Sequence, residues 1–390
     1  MPTAAARRAY SGPPVFSFGF RPFFLLGALW AAIAVPLWVW SWLGGPVAFA
    51  HRDWHVHEML FGFLAAIVAG FLTTAVPNWT GRMPVIGAPL AGLVALWIAG
   101  RAAMLFADGL GPAAAVMDAA FLVVFAGVIW REVLAGRNWR NLPVCGLVTL
   151  LALANIGFHL DAALWRTGAG ERLALGAIAM LLALIGGRIT PSFTRNWMKA
   201  RRLAPEPAAA GRFDQAALAL TGAGVLAWVL LPESRHAGVL LAGAGLANLI
   251  RLARWRGWAA AGEPLVWILH LGYAWLGLGL LLLGASKLVE LVPPTAGLHA
   301  LAAGAAGVMT LAVMTRASRG HTGRDLAADR ATTAIYLAVN AGAVLRVAAA
   351  FAVEAQTPLL AASATLWAMA FGGFALTYGR MLTTPRRVAA

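Results

Sequence analysis

The chain has 390 residues, of which 61% are hydrophobic and only 12% are charged, whereas about one quarter of a soluble domain is charged. This composition is typical of a membrane protein and excludes an ordinary soluble domain. The net charge of +15 does not indicate nucleic-acid binding, because the basic residues interrupt long apolar runs and do not cluster on one amphipathic face. Cys145 is the only cysteine, which excludes an internal disulfide, a thiolate zinc site, an iron–sulfur cluster and covalently attached haem.

Breaks rich in Gly, Pro and Arg divide the chain into twelve apolar stretches. A bilayer core about 30 Å thick requires about 20 apolar residues per helix, and each stretch is close to that length. The sequence therefore predicts an all-α polytopic membrane protein, with one integral membrane domain over residues 1–390. The predicted spans are 22–43, 56–76, 85–107, 113–133, 142–161, 172–189, 213–231, 237–253, 264–285, 297–315, 331–353 and 358–379.

The basic residues predict the orientation of these spans. Cytoplasmic connections of membrane proteins carry the excess of Lys and Arg. If the N-terminal segment with Arg7 and Arg8 is inside, the inner connections hold most of the 30 Lys and Arg residues. An even number of spans then places both termini in the cytoplasm.

The ends of spans two, six and ten are similar to one another. They read AVPNWTGRMP at 75–84, GGRITPSFTRNWMK at 186–199 and VMTRASRGHTGR at 313–324. We predict three four-helix units from this spacing, because internal repeats are common in membrane proteins. The pseudo-repeats would cover 20–84, 85–200 and 212–324, followed by final helices at 331–353 and 358–379. The alternative is that any inward-ending helix collects Arg and turn residues.

Two histidines lie at the outer ends of spans at equivalent positions, His57 in span two and His299 in span ten. Each lies beside a stripe of small residues, which allows a helix or a flat macrocycle to approach closely. Two imidazoles on opposing helices can bind one haem iron axially. The alternative is that each interfacial histidine bonds to water, a headgroup or a carbonyl. The stripes are Gly62, Ala66 and Gly70 after His57, and Ala300, Gly304 and Gly307 after His299.

Two neighbours of His57 are further candidates. His55 is spaced i, i+4 from His51, and this spacing allows a surface site for copper or another divalent metal. Glu58 could orient an imidazole or pass protons, or it could only cap the start of the helix.

A histidine deep in span nine is also a candidate. His270 lies in EPLVWILHLGYAW, one turn before Tyr273. Because a histidine in the apolar region needs a partner, we predict a haem or metal ligand or a proton-handling group at His270, with Tyr273 beside it.

Basic groups at the inner helix ends could hold anions. His321, Arg21 and Arg316 are candidates for a haem propionate or a lipid headgroup. We predict no role for His159 or His236. Asp118 should face the bundle interior, but the sequence assigns it no function.

Five segments together resemble one family. They are FRPFFLLGALWA at 20–31, HVHEMLFGFLAAIVAGFLTTAVPNWTGR at 55–82, GGRITPSFTRNW at 186–197, LHLGYAWLGLG at 269–279 and HALAAGAAGVMTLAVMTRASRGHTGR at 299–324. These closely resemble NnrS proteins over nearly the whole chain. The resemblance implies a bacterial inner-membrane protein that contains haem b, is associated with copper, and acts in denitrification and the response to nitric oxide.

The arrangement of the spans is also similar, more distantly, to that of haem–copper oxidases and nitric oxide reductases. Those proteins have twelve helices in three groups of four, with histidines on helices two and ten. This chain departs from that plan, because span six contains no histidine and span ten contains only His299. The usual second haem and copper site would therefore lack their ligands.

Three hypotheses about function follow. The first is a haem b oxidoreductase that binds and reduces nitric oxide, with electrons from quinol or another donor. The second is a haem and copper protein that senses nitric oxide or protects against it without turnover. The third is a transporter, although no pair of Gly/Pro-broken helices marks a midplane site.

Overall fold

The computed structural model describes residues 10–47 and 49–387, so Arg7 and Arg8 lie outside the described residues. In this part of the chain, twelve helices are long and apolar enough to cross a membrane, which confirms the predicted all-α polytopic fold. The side on which the termini lie stays a prediction. The helices are α1 Phe20–Trp42, α2 Arg52–Thr80, α3 Ala88–Leu105, α4 Pro112–Ala135, α5 Trp139–Leu164, α6 Ala169–Ala200, α7 Arg212–Leu230, α8 Arg235–Ala253, α9 Pro264–Ala285, α10 Pro294–His321, α11 Arg330–Ala348 and α12 Gln356–Thr383.

Helices α2 and α6 extend beyond the predicted spans. The predicted spans ended at residues 76 and 189, at breaks rich in Gly, Pro and Arg that include Pro77 and Pro191. Both prolines instead lie inside their helices, where each removes only one backbone donor. Helix α2 ends at Gly81, which adopts the left-handed conformation with φ of 70° and donates its N–H to the Pro77 carbonyl oxygen at 2.9 Å.

Three of the described helices contain a π-helical segment. These segments are Glu58–Leu64 in α2, Leu182–Gly186 in α6 and Ala300–Ala306 in α10. A π turn closes i→i+5 hydrogen bonds and changes the direction in which the following side chains point, and such turns are frequent at functional sites. The segments recur every fourth span, which is the spacing of the predicted repeat. The repeat itself stays a prediction.

The chain divides into two compact units. Unit one comprises Met1–Ala174, Met314–Asp325 and Phe374–Ala390, and unit two comprises Leu175–Val313 and Leu326–Gly373. In unit one, α1 packs on α2, and α4 packs on α2, α3 and α5. In unit two, α8 packs on α7 and α9, and α10 packs on α9 and α11. In each unit, side chains from several consecutive helices can therefore meet.

Candidate metal centre

Helix α2 begins with a short α-helical turn that leads into its π segment. His51 caps this turn, because its Nδ1 accepts a hydrogen bond from the Trp54 N–H at 3.3 Å. The turn ends at His57, and the π segment starts at Glu58. The side chains of His57 and Glu58 are both completely buried. Burial of two adjacent ionisable residues in an apolar helix requires partners for each of them.

Both ring nitrogens of His57 face carboxylate oxygens. The Nδ1 atom lies 2.9 Å from Glu58 Oε1, and the Nε2 atom lies 2.9 Å from Oδ2 of Asp118 on α4. Ionised carboxylates only accept hydrogen bonds, and a neutral imidazole has only one N–H to donate. With both carboxylates ionised, the two contacts are satisfied either by an imidazolium or by a metal ion that takes the place of one ring proton.

Arg101, on α3, joins the two carboxylates. Its Nη1 donates to Glu58 Oε2 at 2.6 Å, and its Nη2 donates to Asp118 Oδ1. The guanidinium is also buried and lies over the ring of Trp97. Because a guanidinium stays protonated, Arg101 provides one permanent positive charge against two carboxylates.

Two side chains from α5 complete the site at Asp118. Asn155 Nδ2 lies 2.8 Å from Asp118 Oδ2, and His159 Nε2 lies 3.0 Å from the same oxygen. That oxygen therefore contacts three nitrogen atoms. We call the group formed by His57, Glu58, Arg101, Asp118, Asn155 and His159 the His57 cluster.

Three members of the His57 cluster could hold a metal ion. One ligand atom each from His57, Asp118 and His159 lies within 4.8 Å of the other two. Two imidazole nitrogens and one carboxylate oxygen are a ligand set that suits zinc, copper or non-haem iron. The Glu58 carboxylate on His57 Nδ1 is the outer contact that commonly orients a metal-bound histidine. The three ligand atoms, together with the Glu58 contact on His57, thus fit a single transition-metal ion.

Some polar atoms at the site lack a hydrogen-bond partner in the described part of the chain, and one member of the His57 cluster is partly exposed. Arg101 Nε, Asn155 Oδ1 and Trp30 Nε1 have no hydrogen-bond partner among the described residues. Buried polar atoms of this kind usually bond to water or a ligand. The side chain of His159 is 16% exposed, whereas those of His57 and Asp118 are fully buried, so access is beside His159.

The small-residue stripes predicted as haem walls are covered by neighbouring side chains. A Cβ at Gly62 would lie 2.6 Å from Arg101 Nη1, and a Cβ at Gly70 would lie 2.8 Å from the Phe24 ring. In unit two, the indole of Trp275 covers Gly304 and that of Trp367 covers Gly307. The described residues at these stripes do not fit a flat macrocycle. Ligation of one haem by His57 and His299 stays a prediction.

Other predicted site residues of unit one lie in different surroundings. The His55 ring stacks on Trp38, with centroids 4.2 Å apart. The His321 ring stacks on Phe18 at 5.5 Å. Arg21 Nη1 donates to three backbone carbonyl oxygens near the end of α12, and Arg316 is half-buried on α10.

The predicted residues His270, Tyr273 and His299 lie in unit two. His299 Nδ1 lies 2.8 Å from the carbonyl oxygen of Thr295, one turn earlier in α10. His270 Nε2 lies 2.8 Å from the hydroxyl of Thr194. Tyr273 instead donates its hydroxyl proton to Asn248 Oδ1 at 2.6 Å. His270 and Tyr273 thus contact different partners, although they are one turn apart on α9.

Tyr273 belongs to a second buried polar group. Its hydroxyl accepts a hydrogen bond from Arg251 Nη1 at 2.5 Å, and Arg251 Nε donates to Asp214 Oδ1 at 3.1 Å. The other carboxylate oxygen of Asp214 accepts from Arg254 at 3.2 Å. We call the group of Asp214, Asn248, Arg251, Arg254 and Tyr273 the Arg251 cluster.

The sequence did not predict most of the His57 cluster. It assigned no role to His159 or Asp118, and it did not select Arg101 or Asn155. The predicted spans do place these four residues at a similar membrane depth to His57. All four lie in the outer halves of spans three to five, as His57 does in span two. Only tertiary packing shows that these helices bring the four side chains to one point.

Comparison with known proteins identifies the family. The NnrS protein family matches residues 14–386, which is nearly the whole chain. A search of curated proteins found no match. The chain therefore belongs to the NnrS family, as the sequence motifs predicted.

Proposed function

We propose that this member of the NnrS family holds a transition-metal ion at the His57 cluster and acts in the nitric oxide response by binding nitric oxide there. The observation that carries the proposal is the convergence of His57, Asp118 and His159 within 4.8 Å in a buried site. The family supplies the link to nitric oxide. We expect the protein in the bacterial inner membrane.

Each residue of the cluster would have a distinct role. His57 and His159 would offer their Nε2 atoms and Asp118 its Oδ2 atom to the ion. When bound, such an ion would supply open coordination positions, which three-ligand sites of this kind use for small molecules. Glu58 holds the His57 ring through Nδ1 and so keeps Nε2 directed at Asp118.

Arg101 and the apolar shell would control the surroundings of the ion. Arg101 binds both carboxylates, which fixes their positions and reduces the negative charge of the site. The rings of Phe61 and Phe158 lie 5.2 and 5.3 Å from the His57 ring and exclude water on that side. A small uncharged molecule such as nitric oxide can cross an apolar bilayer, so a site among apolar helices suits this ligand.

Copper suits the described ligand set better than haem b does. Imidazole and carboxylate ligands bind copper well, and the site is compact. Haem b remains an expectation from the family resemblance, and the side chains that cover Gly62 and Gly70 argue against a macrocycle at this position.

Reduction of nitric oxide is the activity that we propose for the bound state. Two molecules of nitric oxide, two electrons and two protons give one molecule of N2O and one of water. Quinol is the proposed electron donor. Binding without turnover, in a sensing or protective role, is the alternative, and measured turnover separates the two.

The test is metal content and nitric oxide chemistry in the purified full-length chain. Iron, copper and zinc are quantified per chain for the wild type and for His57→Ala, His159→Ala and His236→Ala. His236 is an exposed histidine outside both clusters, so it is the matched control. We expect a stoichiometric metal in the wild type and the control, and its loss in the two cluster variants.

Nitric oxide is then added anaerobically, with and without a reduced quinol. Spectral change on addition indicates binding, and accumulation of N2O indicates reduction. If all four proteins retain the same metal, the His57 cluster is not the metal centre. If the metal-loaded wild type neither binds nor consumes nitric oxide, the proposed ligand is wrong.

A further inference from the structure

A cleft in unit one is lined by arginines at the ends of two helices. It lies between the segment that follows α10 and the end of α12, and its volume is about 390 Å³. Its lining residues are Arg324, Thr377, Arg380, Met381, Thr384, Pro385 and Arg387. None of these is acidic. The cleft involves no residue of the His57 cluster.

Specific contacts build the walls of this cleft. The backbone N–H of Arg387 donates to the Thr322 carbonyl oxygen at 3.1 Å, which joins the C-terminal segment to the end of α10. Gly323 has φ of 74°, and a Cβ at this position would collide with the Arg387 carbonyl oxygen. Only glycine permits this close approach. The cleft is therefore a defined feature of the fold.

Arg21 binds the backbone carbonyl oxygens at the end of α12, which carry partial negative charge beside the cleft. Helix C-termini carry unpaired carbonyl oxygens that attract cations. At the end of α12, however, Arg21 Nη1 donates to the carbonyl oxygens of Met381, Leu382 and Thr384 at 3.3, 3.0 and 2.7 Å. These carbonyls are thus already bound and compensate less of the charge on the lining arginines.

The three arginines of the cleft are not paired with carboxylates. In the described part of the chain, Arg324, Arg380 and Arg387 form no ion pair, although Asp325 follows Arg324 directly. Arg324 Nη1 donates only to oxygen atoms of Thr322. Burial, together with the charges of Arg387, Arg319 and Arg380, lowers the pKa of Arg324. The arginines repel one another, and an anion between them would relieve that repulsion.

We propose that this cleft binds a phosphate group. Guanidinium groups bind phosphate through paired hydrogen bonds, and several arginines around one cavity match its charge and its oxygens. The cleft lies at the ends of α10 and α12, where membrane-spanning helices reach the lipid headgroups. An anionic phospholipid and free phosphate both present this chemistry. The proposal is independent of the metal at the His57 cluster.

The experiment measures thermal unfolding of the full-length protein in a neutral detergent. Three probes are titrated separately: short-chain phosphatidylglycerol, short-chain phosphatidylcholine, and inorganic phosphate against chloride at equal ionic strength. Saturable stabilisation by phosphatidylglycerol but not phosphatidylcholine indicates a lipid headgroup. Stabilisation by inorganic phosphate over chloride indicates free phosphate as a sufficient ligand. We expect one of these two results for the wild type.

The variants replace the lining arginines by glutamine. Arg380→Gln and Arg387→Gln change exposed side chains, and Arg324→Gln changes a half-buried one. Each should weaken the apparent affinity about fivefold, because one basic group near a lipid surface contributes a factor of about that size. The exposed arginines Arg137 and Arg140 lie outside the cleft, so the same substitution there should leave the affinity unchanged.

Three outcomes would overturn the proposal. The first is a wild type that phosphatidylglycerol stabilises no more than phosphatidylcholine does and that inorganic phosphate stabilises no more than chloride does. The second is an equal loss of affinity in the cleft variants and in the controls, which would indicate a general effect of net charge. The third is a wild-type affinity in both Arg380→Gln and Arg387→Gln. Because these two side chains are exposed, their substitution tests the site even if Arg324→Gln fails to fold.

Discussion

The His57 cluster and the Arg251 cluster are two buried polar groups with different chemistry. Each contains a buried aspartate bound by an arginine on a neighbouring helix. In the Arg251 cluster, the two oxygens of Asp214 contact Arg251 and Arg254. In the His57 cluster, one oxygen of Asp118 contacts Arg101, and the other contacts two imidazoles and an amide.

This difference determines which cluster can bind a metal. Arginine stays protonated and cannot be a ligand, so Asp214 is compensated by permanent cations. Imidazole loses its proton readily, so a metal ion can replace a proton between His57 or His159 and Asp118. Burial of charge alone therefore does not indicate a metal centre. The side chains that contact the buried carboxylate distinguish a candidate metal site, with imidazoles, from an ion-pair group, with arginines.

The largest expected effect is the loss of metal on changing Asp118. Asp118→Asn removes the carboxylate that both imidazoles face, so the metal content per chain should fall to background. The corresponding Asp214→Asn variant should keep the wild-type metal content, although its fold is weakened. Elemental analysis of both purified proteins measures this. Equal metal content in the two variants would remove the distinction between the clusters.

The two buried arginines should differ in their contribution to stability. Arg101→Met leaves Glu58 and Asp118 without their shared cation and should cost about 3–5 kcal/mol of unfolding free energy. Arg251→Met should cost less, because Asp214 keeps its contact with Arg254. Denaturant unfolding in detergent measures both.

Added metal sharpens the same comparison. A divalent ion would replace the charge lost in Arg101→Met, so it should restore part of that variant's stability and leave Arg251→Met unchanged. A similar response of both variants would contradict the assignment of the metal to the His57 cluster.

A smaller effect is expected at Glu58, which contacts the proposed ligand His57 and would not contact the ion itself. Glu58→Gln should weaken metal affinity by roughly 10–100-fold, because outer-contact residues contribute about that much. Glu132 is a buried glutamate on α4 that pairs with Arg82 at 2.7 Å, and Glu132→Gln is the matched control. Competition with a chelator gives both affinities. An unchanged affinity in Glu58→Gln would exclude its orienting role.

Gly62 tests how tightly the His57 cluster is packed. In Gly62→Ala, the new Cβ would meet Arg101 and Glu58, and overpacking of this kind costs about 1–3 kcal/mol. Gly187→Ala should have a similar effect on stability in unit two, because its Cβ would lie 2.5 Å from Arg251 Nη2. Only the first variant should also weaken metal binding. Gly92, with open space around its Cβ, provides the control.

The number and approximate positions of the membrane-spanning helices could be predicted from the sequence, because each helix corresponds to one apolar run. The twelve predicted apolar runs correspond to twelve helices in the described part of the chain, since a bilayer fixes the length of each run. The ends of α2 and α6 were not predicted, because Pro77 and Pro191, in the Gly-, Pro- and Arg-rich breaks at which the predicted spans end, lie inside these helices. The π segments were not predicted either, since their hydrogen-bond pattern has no distinct signature in composition.

The site could be predicted only in part. His57 and Glu58 stood out because they are polar residues at the start of a long apolar run. Arg101 and Asp118 are isolated in their own spans, and the spacing of Asn155 and His159 by one turn in span five does not by itself distinguish a ligand from an interfacial residue. These side chains meet only because α4 packs against its neighbours, and no short motif in the sequence encodes that packing.

The smallest expected effect concerns the outermost member of the Arg251 cluster. The Arg254 side chain is 33% exposed, and Asp214 keeps Arg251 when Arg254 is removed. Arg254→Gln should therefore cost at most about 1 kcal/mol, as solvent screens such pairs. His159 is the comparably placed member of the His57 cluster, yet His159→Gln should lower metal content strongly. A thermal scan and elemental analysis of both variants test this contrast. Loss of metal in Arg254→Gln would mean that the two clusters do not act separately.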